Sequence, residues 1–198
     1  EVWQDSDPQA AFLHARSSDM SFEAAGEAFH KWVKRDSHNA LGWLEKQETV
    51  EKNLLIIYIQ HATADQGAES VVAMADRALD GKGTLEVVEQ AVVKQYKQNP
   101  EIAAQLLLAA LPRAPQKEPW PGNWRMFENV ASTYAADSPE RAVQWAASLP
   151  DTPVPDEWWL KGDPLKTIRL RAIRNALKSW RKANPDDARR WLNATTTL

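Results

Sequence analysis

The chain has 198 residues, of which 43% are hydrophobic and 26% are charged, and its formal net charge is −3. These values are ordinary for a soluble globular protein, and the absence of cysteine excludes disulfides and thiolate metal sites. The longest strongly apolar run, residues 54–59, is far too short to span a membrane. Only seven residues are glycine, strand-like alternation is scarce, and ten tryptophans suit many small helix–helix contacts, so the composition favours an all-α chain.

A short pattern recurs along the chain and predicts corners between consecutive helices. A polar cap residue has an aromatic side chain about four residues before it, a small residue four after it and a large apolar residue seven after it. The predicted caps are Asp7, Asp36, Asp65, Asn99, Ser138 and Asn184, separated by 29, 29, 34, 39 and 46 residues. The copy at Asp65 is the weakest, since His61 takes the aromatic place and Glu69 the place of the small residue.

Helices are predicted between these corners in chain order. A leading half pair covers 7–17, and five further pairs follow. The predicted helices cover about 21–32, 37–46, 48–64, 71–79, 84–96, 100–111, 123–136, 139–149, 164–183 and 185–194. The helix over 48–64 is apolar nearly all round, which predicts that other helices flank it on several sides. The leading half pair suggests that this single repeat domain, 1–198, belongs to a longer chain.

The clearest copy of the corner runs from Trp180 to Trp191. The side-chain oxygen of Asn184 can accept a hydrogen bond from the next helix, and Pro185 suits the first helical position. Ala188 is small enough to let the two helices approach closely, and both indoles can fill the angle between them. The pattern therefore predicts that Trp191 is buried at this corner.

The pattern D/N-P-x-x-A-x-x-W resembles the turn between tetratricopeptide repeats. The residues that carry the resemblance are Asn184, Pro185, Ala188 and Trp191, and more loosely Asp36, Ala40 and Trp43. The chain departs from that family because it lacks the Leu-Gly…Tyr pattern and a fixed 34-residue spacing. It is also similar to Trp-rich α-solenoid repeats of bacterial proteins. The resemblance implies a right-handed stack of about five irregular helix pairs, and protein or peptide binding as its usual role.

Two Pro-rich linkers, 112–122 and 149–156, are predicted to be extended and carry or flank four tryptophans. These are Trp120, Trp124, Trp158 and Trp159. A tryptophan beside an extended loop can bind a peptide or the face of a sugar. More often such residues fold back onto a hydrophobic core, and both interpretations remain open.

Charge is divided unevenly along the chain. Residues 161–198 hold ten basic and three acidic side chains, a net charge of +7, which leaves −10 for residues 1–160. Within the helix 166–182, five basic residues are predicted to share one face: Arg171, Arg174, Lys178, Arg181 and Lys182. This face predicts either an anion-binding surface, for nucleic acid or an acidic protein, or an ordinary solvated outer face.

Arg169 falls on the predicted apolar side of the same helix, so it is predicted to be buried and paired with a carboxylate. The four histidines, His14, His30, His38 and His61, show no metal-binding spacing, and His61 is interpreted as a packing residue. No motif for a nucleophile, a P-loop or a dinucleotide is present.

These observations predict a non-catalytic module without a cofactor or metal that binds a protein or peptide. The alternative is nucleic-acid or other polyanion binding through the helix 166–182, and the third hypothesis is an enzyme whose site is assembled from distant residues. Both a cytoplasmic and an exported location are compatible with the sequence.

Overall fold

A computed structural model describes residues 5–18, 22–113, 123–155 and 165–195. This part of the chain is all-helical, with eleven α-helices, as the sequence predicts. They are α1 Pro8–Ser17, α2 Phe22–Arg35, α3 Ser37–Leu44, α4 Lys52–Gln66, α5 Ala68–Ala78, α6 Thr84–Gln95, α7 Pro100–Ala110, α8 Arg125–Asp137, α9 Pro139–Ser148, α10 Ile168–Ala183 and α11 Pro185–Thr195.

Four of the predicted cap residues adopt nearly the same backbone conformation. At Asp7, Asp36, Ser138 and Asn184, φ lies between −152° and −143° and ψ between 75° and 86°. Three of them accept a side-chain hydrogen bond from the third residue of the next helix: Asp7 from Ala10 at 3.0 Å, Asp36 from Asn39 at 3.0 Å and Asn184 from Asp187 at 3.2 Å. At Asp36 and Asn184 a single residue therefore ends one helix and caps the next, because its side chain satisfies an N–H group that the next helix leaves open.

The corner predicted at Asp65 is wrong by two residues. Helix α4 continues to Gln66, and Gly67 separates it from α5 with φ +79° and ψ 149°. This conformation is open almost only to glycine, so the corner uses backbone freedom in place of a side-chain cap.

The residues at fixed positions before and after the corners are buried. The residue four after the cap is fully buried at five corners: Ala40, Val71, Ala103, Ala142 and Ala188. The residue four before the cap is at most 7% exposed at the same corners: Trp32, Thr63, Gln95, Tyr134 and Trp180. Trp191, by contrast, is only half-buried, although its ring lies 5.4 Å from that of Trp180. The prediction that Trp191 is buried is therefore wrong, and Trp180 is the buried indole of this corner.

The chain divides into two compact units, one of residues 1–94 and 109–114 and the other of residues 95–108 and 115–198. In the first unit α2 packs against α1, α3 and α4, while α4 also packs against α3 and α5. The prediction that other helices flank α4 on several sides is thus confirmed. Aromatic rings fill the corner of α1, α2 and α3, with ring centroids 5.0 Å apart for Phe12 and Phe29 and 4.9 Å apart for Phe12 and Trp43.

In the second unit α8 packs against α9 and α10, and α10 also packs against α9 and α11. The indole N–H of Trp145 on α9 donates to the carbonyl oxygen of Ala104 on α7 at 2.9 Å. Around residue 153 the chain is extended, as predicted: Pro153 and Thr167 form an isolated antiparallel bridge. The other linker starts differently, since Leu111–Arg113 is a 3₁₀ turn, and its remaining residues, 114–122, lie outside the described residues.

Candidate functional site

One residue of the predicted aromatic site, Trp124, and one residue of the predicted anion-binding face, Arg171, are in contact inside the second unit. The guanidinium carbon of Arg171 lies 4.9 Å from the ring centroid of Trp124, and its Nη1 lies 3.3 Å from Glu128 Oε1. Trp124 is 6% exposed and Arg171 is 3% exposed. Both side chains are therefore used between α8 and α10, where a cation–π contact and an ion pair hold the two helices together.

The expectation that Arg171 lies on an exposed basic face is wrong. Helix α10 buries Ile168, Arg171, Ala172, Ala176 and Trp180, so its buried side includes Arg171 and leaves Arg169 partly exposed. The cause is tertiary: α10 packs against both α8 and α9, so it buries two sides. Trp124 likewise folds back onto the core, which was the commoner of the two alternatives for the linker tryptophans.

The other four residues of the predicted basic face are exposed: Arg174, Lys178, Arg181 and Lys182. Arg174 Nη2 lies 3.6 Å from Glu128 Oε1, so this carboxylate is shared by two guanidinium groups. Three cations, Lys178, Arg181 and Lys182, are thus left as a short basic patch near the end of α10.

Arg169 is not buried as predicted, although its carboxylate partner exists. Its side chain is 36% exposed, and its Nη2 lies 2.8 Å from Asp151 Oδ2. The buried arginine of this helix is therefore Arg171, and Arg169 is partly exposed. The predicted partner-binding residues Trp120, Trp158 and Trp159 lie outside the described residues.

A pair of histidines stacks between α2 and α4 in the first unit. The ring centroids of His30 and His61 are 4.1 Å apart, and the ring planes differ by 12°. Burial lowers the pKa of His61 to about 4, and the charges on His30 and Lys34 act in the same direction. Burial also lowers the pKa of His30, with a further lowering from Lys34 that Glu27 opposes. Both imidazoles are therefore neutral at neutral pH, and their stacking joins the two helices.

Sequence reasoning missed this pair because the corner after α4 was placed at Asp65. With Gly67 as the corner, His30 and His61 each stand six residues before a corner, at equivalent positions of consecutive helix pairs. Because α2 and α4 pack against each other, the correct corner would have aligned the two histidines in sequence and so indicated the contact. The interpretation of His61 as a packing residue agrees with this arrangement.

A cleft of about 370 Å³ opens in the first unit beside the segment that connects α3 to α4. Its apolar wall comes from Leu44, Val50, Met74 and Ala78, of which Leu44 and Met74 are almost completely buried. Glu45, Gln47, Glu48 and Arg77 form its polar rim. The volume falls at the low end of the range of about 300–1,000 Å³ that is typical of ligand sites.

Two helices end at this cleft. Helix α3 ends at Leu44 and α5 at Ala78, so the partial negative charges of both helix C-termini lie beside it. Glu45 and Glu48 add two carboxylates against the single cation of Arg77. The electrostatics of the cleft therefore favour a cation.

Within the described ranges, no group of three or more His, Asp or Glu residues is arranged to hold a metal ion. Nor does any helix of those ranges have the length and apolar character that crossing a bilayer requires. No protein-family model, curated protein or solved structure matches the chain.

Proposed function

We propose that the chain is a non-catalytic helical-repeat module that binds a protein or peptide partner. In this proposal its helix pairs stack as a right-handed α-solenoid of tetratricopeptide-like type. The observation that carries the proposal is the repeated one-residue corner together with the order of packing inside each unit.

That order is the same in both units. The first helix of a pair contacts its own second helix and the first helix of the next pair, as α2 contacts α3 and α4. Helix α8 contacts α9 and α10 in the same way. Arrays built by such neighbour contacts present an extended surface, and proteins commonly use it for binding.

Polyanion binding is the competing function, and it depends on the exposed patch of Lys178, Arg181 and Lys182. The burial of Arg171 removes one cation from the surface that this function requires. Binding of nucleic acid through a few phosphate contacts would weaken steeply as salt rises.

Affinity capture with the purified chain tests the two functions together. The wild-type chain and a Lys178→Glu/Arg181→Glu/Lys182→Glu variant are used as baits, and the eluates are analysed for protein and nucleic acid. We expect both baits to retain the same discrete protein partner at about 0.15 M and about 0.5 M salt. Recovery of nucleic acid alone, by the wild-type bait and at low salt only, would overturn the proposal in favour of polyanion binding.

A further inference from the structure

We propose that the cleft beside α3 and α5 is a subsite for one basic side chain, lysine or arginine, of the bound peptide. This inference rests on the proposed function and adds the chemistry of one recognition position. The cleft, and not the exposed basic patch, is the surface whose shape and charge together specify a ligand.

The walls of the cleft suit the stem of such a side chain. Lysine and arginine carry a long aliphatic chain that packs on apolar surface while the charged head stays hydrated. The half-buried Val50 and Ala78 supply the accessible apolar surface for this stem, whereas Leu44 and Met74 are almost completely buried. A volume of about 370 Å³ holds the whole side chain with water around its head.

The rim suits the head of the side chain. Glu45 lies directly after α3, and Glu48 follows one turn of chain later, so both carboxylates stand near the negative end of that helix. Within the described residues Glu48 makes no ion pair, whereas Glu45 Oε1 lies 3.3 Å from Arg77 Nη2.

The pair of Glu45 and Arg77 does not close the cleft. The two side chains are 49% and 68% exposed, and a solvated pair of this kind contributes little stability. An incoming cation can therefore replace Arg77 at Glu45, or bind Glu48 beside it, at small cost.

Titration of the ¹⁵N-labelled chain with Nα-acetyl-lysine amide tests the subsite directly. We expect chemical-shift changes confined to residues 44–50 and 74–78, with a dissociation constant on the order of millimolar. Nα-acetyl-norleucine amide has a similar stem without the charge, and it should bind about fivefold more weakly. Equal binding of the two amides, or shifts elsewhere in the chain, would overturn the proposal.

Two matched glutamate variants test whether the carboxylate of Glu48 binds the charged head of the ligand. Glu48→Gln keeps the size of the side chain and should weaken binding of the lysine amide about two- to fivefold. Glu140→Gln changes an exposed glutamate on α9, in the other unit, and should leave binding unchanged. The same loss in both variants would mean that general attraction to an acidic chain accounts for the binding.

The subsite and the module function fail in different ways. If a captured partner binds the Glu48→Gln variant as tightly as the wild type and the lysine amide does not bind, the subsite is wrong and the module function stands. If the lysine amide binds at residues 44–50 but no protein partner is retained, the subsite is supported and the module function is wrong.

Discussion

His30 and His61 stack face to face at a centroid distance of 4.1 Å, each of them six residues before the corner of its helix pair. The contact joins the first helices of two consecutive pairs. Because two neighbouring imidazoles cannot both become charged without repulsion, this contact makes the stability of the first unit depend on pH.

The first prediction concerns this pH dependence. The pKa of His61 is about 4 in the folded chain against an ordinary value of 6.5, so the unfolded chain binds more protons between these values. The stabilising contribution is therefore complete above about pH 6.5 and is lost as the pH falls towards 4. We expect the free energy of unfolding to fall by about 1–2 kcal/mol across this window, after allowance for solvent screening.

Urea unfolding at several pH values between 4 and 8 measures this loss. The His61→Gln variant should show a flatter dependence than the wild type. His38→Gln serves as the control, because His38 is exposed on α3 and lies outside the stack. Parallel pH profiles for all three chains would contradict the prediction.

The second prediction distinguishes the two indoles of the last corner. Trp180 is 1% exposed and donates its indole N–H to Asp187 Oδ2 at 3.2 Å, whereas Trp191 is half-buried. Trp180→Ala should therefore lower the free energy of unfolding by about 3–5 kcal/mol, and Trp191→Ala by about 1–2 kcal/mol. Chemical denaturation of both variants checks the order. A larger loss for Trp191→Ala would show that the corner is packed differently.

The third prediction concerns the buried ion pair between α8 and α10. Arg171→Met should destabilise the chain by about 3 kcal/mol, because Glu128 keeps only its weaker contact with Arg174. Lys178→Met, on the exposed side of α10, should change the free energy of unfolding by less than about 0.5 kcal/mol. A double-mutant cycle with Glu128→Gln measures the coupling, which we expect to be about 1–3 kcal/mol. Absence of coupling would mean that the two side chains contribute independently.

The fourth prediction compares two glycines. Gly67 has φ +79°, so Gly67→Ala should cost about 1–3 kcal/mol even though no atom lies within 4 Å of the added Cβ. Gly42 lies inside α3, where an added Cβ also meets nothing within 4 Å and no positive φ is present. Gly42→Ala should therefore stabilise the chain by about 0.5–1 kcal/mol. The melting temperatures of both variants, measured by thermal unfolding, test these two expectations. A change of the same sign in both melting temperatures would contradict the prediction.

The corners show where sequence reasoning succeeded and where it failed. Asp36 and Asn184 could be predicted because a cap side chain accepts a hydrogen bond from the residue three positions later. The local sequence is therefore sufficient to identify such a cap. The pattern requires a polar cap, and it therefore indicated Asp65 as the corner. The actual corner has no polar cap, because the backbone conformation of Gly67 makes the turn. The two-residue error then concealed the equivalence of His30 and His61.

The sequence alone determined the all-helical class, most helix ends and the small buried residues at the corners, since these depend on hydrogen bonds and side-chain spacing within about one turn. The tertiary structure decided which sides of each helix are covered. It buried Arg171 between α8 and α10, left Arg169 partly exposed and opened the cleft where α3 and α5 end. These outcomes depend on how many neighbouring helices a helix contacts. The periodicity of apolar residues in the sequence predicts only one buried side of a helix.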